Sequence, residues 1–222
     1  MTISPETYRR FIDSLLSGDR AAAREITIEL LQAEISVRDL YLDLFQRSMY
    51  EVGSLWEQNR ISVAVEHMAT SIVESLLPLV YPKIFGAEHT GKRAVISCVA
   101  NEFHQIGGKM VADIFELNGW DGYFTGANTP LPDLKAMIAD KKPDLLGLSV
   151  SNAATIAKLH AIVEDIRSEF PALHVLLGGQ AFLWGGTEII ERYEGLIYLP
   201  SITELEGFLA EYGAHEAETG IG

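Results

Sequence analysis

The sequence predicts an α/β protein, with an N-terminal four-helix bundle followed by a doubly wound, flavodoxin-like parallel sheet. Three observations lead to this prediction. Apolar residues recur with a helical period up to about residue 85. From about Lys92, short β-like runs alternate with amphipathic stretches, as in a parallel sheet with crossover helices. Gly86–Gly91 lies between the two patterns, so the predicted domains are residues 1–88 and 89–222.

The first two helices are predicted from start and stop signals. Ser4-Pro5-Glu6 supplies an N-cap, a proline at the first helical position and an early acid. Gly18-Asp19 ends this helix and caps the second one. Short connections between successive helices are typical of an antiparallel bundle.

The third and fourth helices follow the apolar stripes. Ser36–Asp39 resembles a capping box, and the stripe after it ends at Trp56. A second stripe runs from Val63 to Leu77, where Pro78 and Pro82 are expected to end the helix.

The second half alternates strands and helices. The predicted strands are residues 94–100, 122–124, 144–150, 174–177 and 195–199. The predicted helices are residues 105–117, 133–140, 155–170 and 201–212. Sheets of this kind bind ligands at the carboxyl ends of their strands.

Composition excludes several classes of function. The 222 residues carry a net charge of −14, and such a surface repels a nucleic-acid backbone. Any role in gene control would therefore pass through a protein partner. The single cysteine, Cys98, excludes an internal disulfide, and its apolar surroundings predict a buried thiol. We expect a cytoplasmic protein without membrane attachment, because the apolar runs are short and no export signal is visible.

A histidine follows the first predicted strand. In the stretch Asn101–Gly107, His104 precedes a helix, and a neutral imidazole there can coordinate a metal through one nitrogen. Its other N–H needs an acceptor, and Glu102 is two residues away. Gly107 lets another surface approach the backbone closely. A loop histidine on its own is more often solvated than a metal ligand.

Two further strand ends carry small or hydroxyl residues. Ser149 and Ser151 place hydroxyls at the edge of the third strand, and Gly178-Gly179 ends the fourth without side chains. A flat ligand or its tail could enter there, although a glycine pair is also typical of an ordinary turn. The first strand is not followed by the glycine pattern of a dinucleotide fold, and there is no P-loop motif.

Together these residues resemble the cobalamin-binding domain signature, Asp-x-His-x-x-Gly, then Ser-x-Leu, then Gly-Gly. The matching elements are Glu102-x-His104-x-x-Gly107, Ser149-Val150-Ser151 and Gly178-Gly179. Glu102 stands where the family has Asp, and Ser151 where it has Leu. The resemblance implies that His104 is the lower cobalt ligand and that the serines and glycines border the nucleotide tail. Gly126 and Thr129 lie in a stretch similar to the family's loop after the second strand.

Trp56, Glu66 and His67 lie near the predicted tip of a helical hairpin. An indole could stack on a nucleoside and a carboxylate could bind ribose hydroxyls, but Trp56 also continues an apolar stripe and could be core. The spacing is similar to that of the cobalamin-dependent photoreceptor family of CarH, LitR and AerR proteins. The resemblance implies that these three residues hold a 5′-deoxyadenosyl group whose loss in light shifts the bundle or the oligomer.

Two features differ from that family. CarH-type proteins begin with a DNA-binding domain of the MerR type, whereas this sequence begins with the bundle. Glu57 stands where those proteins often have a histidine that binds cobalt after photolysis. In its place His67 is a candidate upper axial ligand; water could take the role, or the lit state could differ.

The resulting functional prediction is a non-enzymatic, adenosylcobalamin-binding light sensor for signalling and transcription control. It would act on a regulatory protein partner or through a homo-oligomer, without direct nucleic-acid contact. Methylcobalamin and hydroxocobalamin are alternative forms of the cofactor. The alternative function is a corrinoid methyl carrier of a methyltransferase system, which shares the layout of helical bundle and cobalamin domain.

Overall fold

The structure, a computed structural model, describes residues 2–219 and divides the chain between Gly86 and Ala87. We call the two parts unit 1 and unit 2. The sequence places the boundary after residue 88. Residue 1 and residues 220–222, which belong to the predicted domain ranges, lie outside the described residues.

Unit 1 is helical, as predicted. Its segments are α1 (Pro5–Ser17), α2 (Arg20–Gln32), α3 (Val37–Asp39), a π-helical segment (Leu40–Gln46), α4 (Arg47–Glu57), α5 (Val63–Leu76), a 3₁₀ segment (Leu77–Val80) and α6 (Tyr81–Ile84). The third predicted helix corresponds to α3, the π-helical segment and α4, which follow one another without a break.

The predicted helix caps are confirmed. Side chains of Ser4, Asp19 and Ser36 each accept a hydrogen bond from a backbone N–H three residues later. Ser62, which the sequence analysis did not identify, caps α5 in the same way. Each such cap stabilises its helix by about 1 kcal/mol. Gly18 ends α1 with a left-handed φ of 78°.

The α-helix of the fourth helical stretch ends at Leu76, just before Pro78, as predicted. The chain continues helically through the 3₁₀ segment and α6. Each proline stands in the first turn of its segment, where a missing N–H removes no helical hydrogen bond.

Aromatic side chains form part of the core of unit 1. Phe11 and Phe45 have ring centroids 6.0 Å apart, and so do Tyr41 and Phe45. All three rings are fully buried.

By length and composition alone, the stretch Val63–Ile84 is long and apolar enough to cross a membrane. This is weak evidence, because the stretch supplies core residues such as Ile72 to unit 1.

Unit 2 is a parallel α/β domain, which confirms the predicted fold class. Its strands are β1 (Arg93–Cys98), β2 (Asp121–Phe124), β3 (Leu145–Ser149), β4 (His174–Gly178) and β5 (Leu196–Tyr198), and all pair in parallel in the order β2-β1-β3-β4-β5. This is the flavodoxin-like order. The second strand is added on one side of β1, and the later strands are added on its other side.

The helices of unit 2 are α7 (Ile106–Leu117), α8 (Leu131–Lys141), α9 (Ala153–Glu169) and α10 (Ile202–Thr219). The last helix extends beyond the predicted end at residue 212. Two 3₁₀ segments, Gln180–Trp184 and Thr187–Arg192, occupy the connection from β4 to β5 and were not predicted. Strands, α8, α9 and these segments share one apolar core, which includes Leu146, Val175 and Val163.

The strand register positions the site. Cys98, Ser149 and Gly178 pair side by side at the carboxyl ends of β1, β3 and β4. Residues that follow these three positions therefore emerge at one edge of the sheet, which we call the carboxyl edge.

Candidate functional site

The loop after β1 carries the predicted lower ligand. Asn101 adopts a left-handed φ of 69°, and its N–H donates to the Asn128 side-chain oxygen over 2.8 Å. The Glu102 N–H then donates to the Val99 carbonyl over 2.9 Å. The chain turns at this point, and Glu102 is only 1% exposed.

Both carboxylate oxygens of Glu102 are hydrogen-bonded. Oε1 accepts from the backbone N–H of His104 over 2.9 Å and lies 2.7 Å from its ring Nδ1. Oε2 accepts from the backbone N–H groups of Ser151 at 2.7 Å and Asn152 at 3.1 Å. These bonds satisfy a buried carboxylate, and they join the loop after β1 to the loop after β3.

The pKa of Glu102 shows which charge state this arrangement favours. Burial raises the pKa, but hydrogen bonds from the ring and backbone of His104 and from the Ser151 N–H lower it by more. The resulting pKa lies below the ordinary value of 4.5. Glu102 is therefore ionised at neutral pH and can only accept hydrogen bonds, so Nδ1 of His104 carries the proton.

This tautomer suits metal coordination by His104. When Nδ1 is protonated in a neutral ring, the lone pair lies on Nε2, the nitrogen that can bind a metal. The His104 side chain is 66% exposed. Among the described residues, no group of three or more His, Cys, Asp or Glu side chains could hold a bare metal ion. A histidine with an accessible Nε2 can serve as the single protein ligand of a metal whose other ligands come from a macrocycle.

The glycines near His104 differ in what surrounds them. A Cβ added at Gly107 would have no protein atom within 4 Å, so that side of α7 is open. A Cβ at Gly108 would lie 3.0 Å from the Phe124 ring and 3.3 Å from Cys98 Sγ. Packing against the sheet explains Gly108, whereas Gly107 leaves space for a ligand beside the histidine loop.

The two glycines at the end of β4, Gly178 and Gly179, also differ in what surrounds them. A Cβ at Gly178 would have only the Leu199 carbonyl oxygen near it, at 3.6 Å. Gly179 has a φ of 112°, and a Cβ there would lie 2.2 Å from the Val150 oxygen. Close approach to Val150 thus accounts for Gly179, and only Gly178 leaves an open space at the carboxyl edge.

Ser149 and Ser151 lie on the same edge with different roles. Ser149 is half-buried and pairs with Gly178 in the register, so the two residues predicted to border the nucleotide tail are neighbours in the sheet. Ser151 is half-buried, and its backbone N–H binds Glu102, so the residue at this position helps to hold the histidine loop.

The loop after β2 folds back over the end of β1. The Cys98 N–H donates to the Gly126 carbonyl over 3.2 Å, and the Thr129 N–H donates to the Cys98 carbonyl over 3.3 Å. The Thr129 hydroxyl continues a hydrogen-bonded chain to Thr125 at 3.0 Å and from there to buried Ser97 at 2.8 Å. Gly126 and Thr129 therefore border the carboxyl edge.

In unit 1, Trp56 lies near the end of α4 and Glu66 and His67 lie in the first turns of α5. Trp56 is 46% exposed, so it is not a core residue of unit 1. Glu66 Oε1 accepts from the Thr70 hydroxyl over 2.9 Å, and Oε2 lies 3.5 Å from His67 Nε2. Glu66 is held in a fixed position beside an exposed imidazole. Glu57, directly after Trp56, is exposed.

The sequence analysis missed residues that shape this site. Asn152 contributes a backbone N–H and Asn128 a side-chain oxygen to the Glu102 loop, and neither was predicted as a site residue, although Asn128 lies in the stretch that resembles the family's loop after the second strand. Phe103, directly before His104, is 68% exposed, and Trp184, at the end of the first 3₁₀ segment, is 61% exposed. For Phe103, its position next to the signature histidine was the available signal.

The fold and the site define a corrinoid-binding α/β protein preceded by a helical domain. Glu102 sets the tautomer of an exposed imidazole, and Gly107 and Gly178 leave space beside it, which fits a cobalt macrocycle with one protein ligand. Residues 7–80 and residues 92–199 each match a family of B12 binding domains. The chain belongs to the B12-binding proteins and binds cobalamin.

The chain is similar to transcriptional repressors and to a corrinoid protein. The HTH-type transcriptional repressor CarA of Myxococcus xanthus is 30% identical over 121 residues, which is 54% of this chain and 41% of CarA. CarH of the same organism is 27% identical over 182 residues, 79% of this chain and 58% of CarH. The chain thus spans about half the length of these repressors. The solved monomethylamine corrinoid protein of Methanosarcina barkeri superposes with a TM-score of 0.78 at 18% identity, covering 93% of this chain and 98% of that one.

Proposed function

We propose that this chain is a corrinoid methyl carrier of a methyltransferase system, with His104 as the lower ligand to cobalt. The comparisons favour this alternative over the light sensor that the sequence analysis put first. The chain aligns with 98% of a corrinoid protein but with 41% and 58% of the two repressors. That corrinoid protein therefore shares the fold of both units of this chain.

The observation that carries the proposal is the buried Glu102 paired with exposed His104. Bound cobalamin would supply a cobalt–carbon bond that can be made and broken. The carboxylate keeps Nδ1 protonated and directs Nε2 outward. The pair would therefore hold the ring with Nε2 available to a metal, and the ionised carboxylate would make Nε2 a stronger donor to it.

A light sensor is the second candidate. It is favoured by exposed Trp56 next to the fixed carboxylate of Glu66 and exposed His67, which suit a bulky adenosyl upper ligand. In this candidate the cofactor would be adenosylcobalamin, and His67 is the residue that would bind the metal once the adenosyl group is lost, with water as the alternative. For either function we propose a cytoplasmic protein that acts on a protein partner, or on its own assembly, without direct nucleic-acid or membrane contact.

The lower ligand is tested by substitution. His104→Ala should lose the base-off, His-on absorption spectrum of the reconstituted protein. His89→Ala is the matched control, since its side chain is 61% exposed against 66% for His104. A His104→Ala protein that binds cobalamin with an unchanged spectrum would refute the ligand assignment.

The two candidate functions differ in their use of the upper ligand. A carrier should bind methylcobalamin and adenosylcobalamin about equally, tolerate Trp56→Ala, and pass its methyl group on with a cognate methyltransferase. A sensor should prefer the adenosyl form by at least about tenfold, or about 1.4 kcal/mol, and lose this preference in Trp56→Ala. Its elution volume or partner affinity should also change after green light. Tyr50→Ala is the control on α4, because Tyr50 is 45% exposed and Trp56 is 46%.

A further inference from the structure

Unit 1 contains an open groove of about 460 Å³ between α1 and α4. The lining residues of α1 run from Pro5 to Leu16 at intervals of one, three and four, and those of α4 run from Arg47 to Leu55 at intervals of four. Such spacings place each set on one helix face. We call this the α1–α4 groove. Its α1 wall is about 16 Å long, at 1.5 Å per residue.

The charge of the groove is opposite to that of the whole chain. Arg9, Arg47 and Arg60 line it together with two carboxylates, Asp13 and Glu51, whereas the chain carries −14 overall. One of these carboxylates, Glu51, already accepts the Tyr8 hydroxyl over 2.7 Å. The groove is thus a local basic site on an acidic protein.

Two of the arginines are available for an external anion. Within residues 2–219, Arg9 and Arg60 make no side-chain hydrogen bond or ion pair. Arg47 instead lies with its guanidinium carbon 3.8 Å from the centroid of the Tyr8 ring. Such a stacked arginine beside a tyrosine is typical of the residues that dominate binding at protein interfaces.

Apolar side chains complete the groove. Tyr8 and Ile12 are buried, at 7% and 5% exposure, and Leu16 and Leu55 are half-buried beside them. Apolar contacts with basic residues alongside suit an amphipathic helix that presents carboxylates next to its apolar face. A small anion could contact the arginines but would not fill a wall of about 16 Å, which matches about three helical turns.

We propose that the α1–α4 groove binds an acidic amphipathic helix of a partner protein. Carboxylates of that helix would pair with Arg9 and Arg60, and its apolar residues would contact Leu16 and Leu55. The inference rests on the proposed function only in requiring a protein partner, which both the carrier and the sensor have.

A residue of the α1–α4 groove is adjacent in sequence to Trp56, which is expected to contact the upper ligand. Leu55 precedes Trp56, and the Arg60 N–H donates to the Leu55 carbonyl over 2.9 Å. The Asn59 N–H donates to the Trp56 carbonyl over 2.8 Å, with Asn59 in a left-handed conformation at a φ of 56°. Trp56, Leu55 and Arg60 thus share one hydrogen-bonded helix end, and we expect a shift of Trp56 to be felt in the groove. Partner affinity is expected to depend on the upper ligand.

The experiment uses the cobalamin-loaded full chain and a display library of helical peptides about 12 residues long. The selected peptides should be acidic, and their affinity, measured by fluorescence polarisation, should fall as salt screens the charges. The double variant Arg9→Glu/Arg60→Glu should weaken binding at least tenfold, or about 1.4 kcal/mol. Arg24→Glu, an exposed arginine of α2 outside the groove, should leave binding unchanged.

Three results would overturn the proposal: no enrichment of acidic peptides, peptide binding that survives the double charge reversal, or a homodimer that this reversal dissociates. The last would assign the groove to a second copy of the chain. Thermal melts check that each variant is folded. Peptide binding that is lost only in the groove variant would support the groove as a binding site. This holds even if the protein shows neither methyl transfer nor a light response. Such a result would count against the proposed function and not against the groove.

Discussion

Replacing Glu102 by Gln tests the feature on which the site depends most directly. The carboxylate is 1% exposed and accepts hydrogen bonds from both the His104 loop and the loop after β3. Gln has nearly the same shape but only one acceptor oxygen. If that oxygen remains on the His104 side, the amide NH₂ faces the N–H groups of Ser151 and Asn152.

The expected cost follows from the bonds that are lost. Two hydrogen bonds to a charged acceptor, at about 1.5–3 kcal/mol each, set an upper bound of about 6 kcal/mol. Relaxation of the exposed loops and entry of water should reduce the loss to about 3 kcal/mol. For a domain the size of unit 2, this corresponds to a decrease in Tm of about 10 °C. Cobalamin affinity should fall as well, because the carboxylate no longer orients His104.

The assay is thermal and urea unfolding with circular dichroism, together with cobalamin titration. Glu188→Gln is the control, since Glu188 is an exposed carboxylate of the same unit. Glu102→Asp is a second variant: it keeps the charge but shortens the side chain by one C–C bond of about 1.5 Å. The Glu102→Asp protein should be destabilised less than the Glu102→Gln protein. Its shorter carboxylate should not reach both loops.

The effect should depend on pH in a definite direction. The pKa of Glu102 in the folded protein lies below the ordinary 4.5, so ionisation stabilises the fold above that pH. The stabilisation is lost as the pH falls through the folded pKa. The difference between wild type and Glu102→Gln should therefore be full at pH 7 and shrink below about pH 4.5. A difference of less than about 0.5 kcal/mol at pH 7 would refute the role assigned to the buried carboxylate.

Three further predictions follow from the structure. Gly107→Val should leave the free energy of unfolding within about 1 kcal/mol of wild type, yet weaken cobalamin binding in a titration; unchanged binding would show that no ligand occupies this space. Gly179→Ala should be destabilised by at least about 2 kcal/mol, because its Cβ would meet Val150 at positive φ, whereas Gly178→Ala should unfold like wild type; equal melting curves would contradict this contrast. Cys98 should react with a thiol reagent at pH 8 only after unfolding, since burial and the nearby Glu102 charge raise its pKa to about 12; rapid labelling of the folded protein would refute it.

The order of elements and the residues at the strand ends could be predicted from the sequence. Periodicity and local caps are local signals, so they identified the helices of unit 1, the alternation in unit 2 and the caps at Ser4 and Asp19. Pro78 marked the end of α5, but the short helical segments after it were not predicted, because a proline can begin a helical segment as well as end one.

Contacts between loops could not be predicted in this way. The Glu102 to Ser151 hydrogen bond joins residues 49 positions apart, and it exists because β1 and β3 are neighbours in the sheet. The different roles of Gly178 and Gly179 also depend on where the Val150 backbone passes. Periodicity carries no information about such distances.

The sequence by itself determined a helical domain, a parallel sheet domain and a histidine at the end of the first strand. These properties depend on side-chain type and spacing along a single segment of chain. Only the tertiary structure decided that Glu102 is buried with all its acceptors in use, that Gly107 is open, and that three arginines share a groove with Tyr8. Burial, open space and charge surroundings arise when segments distant in the sequence pack together, so they become defined only in the folded chain.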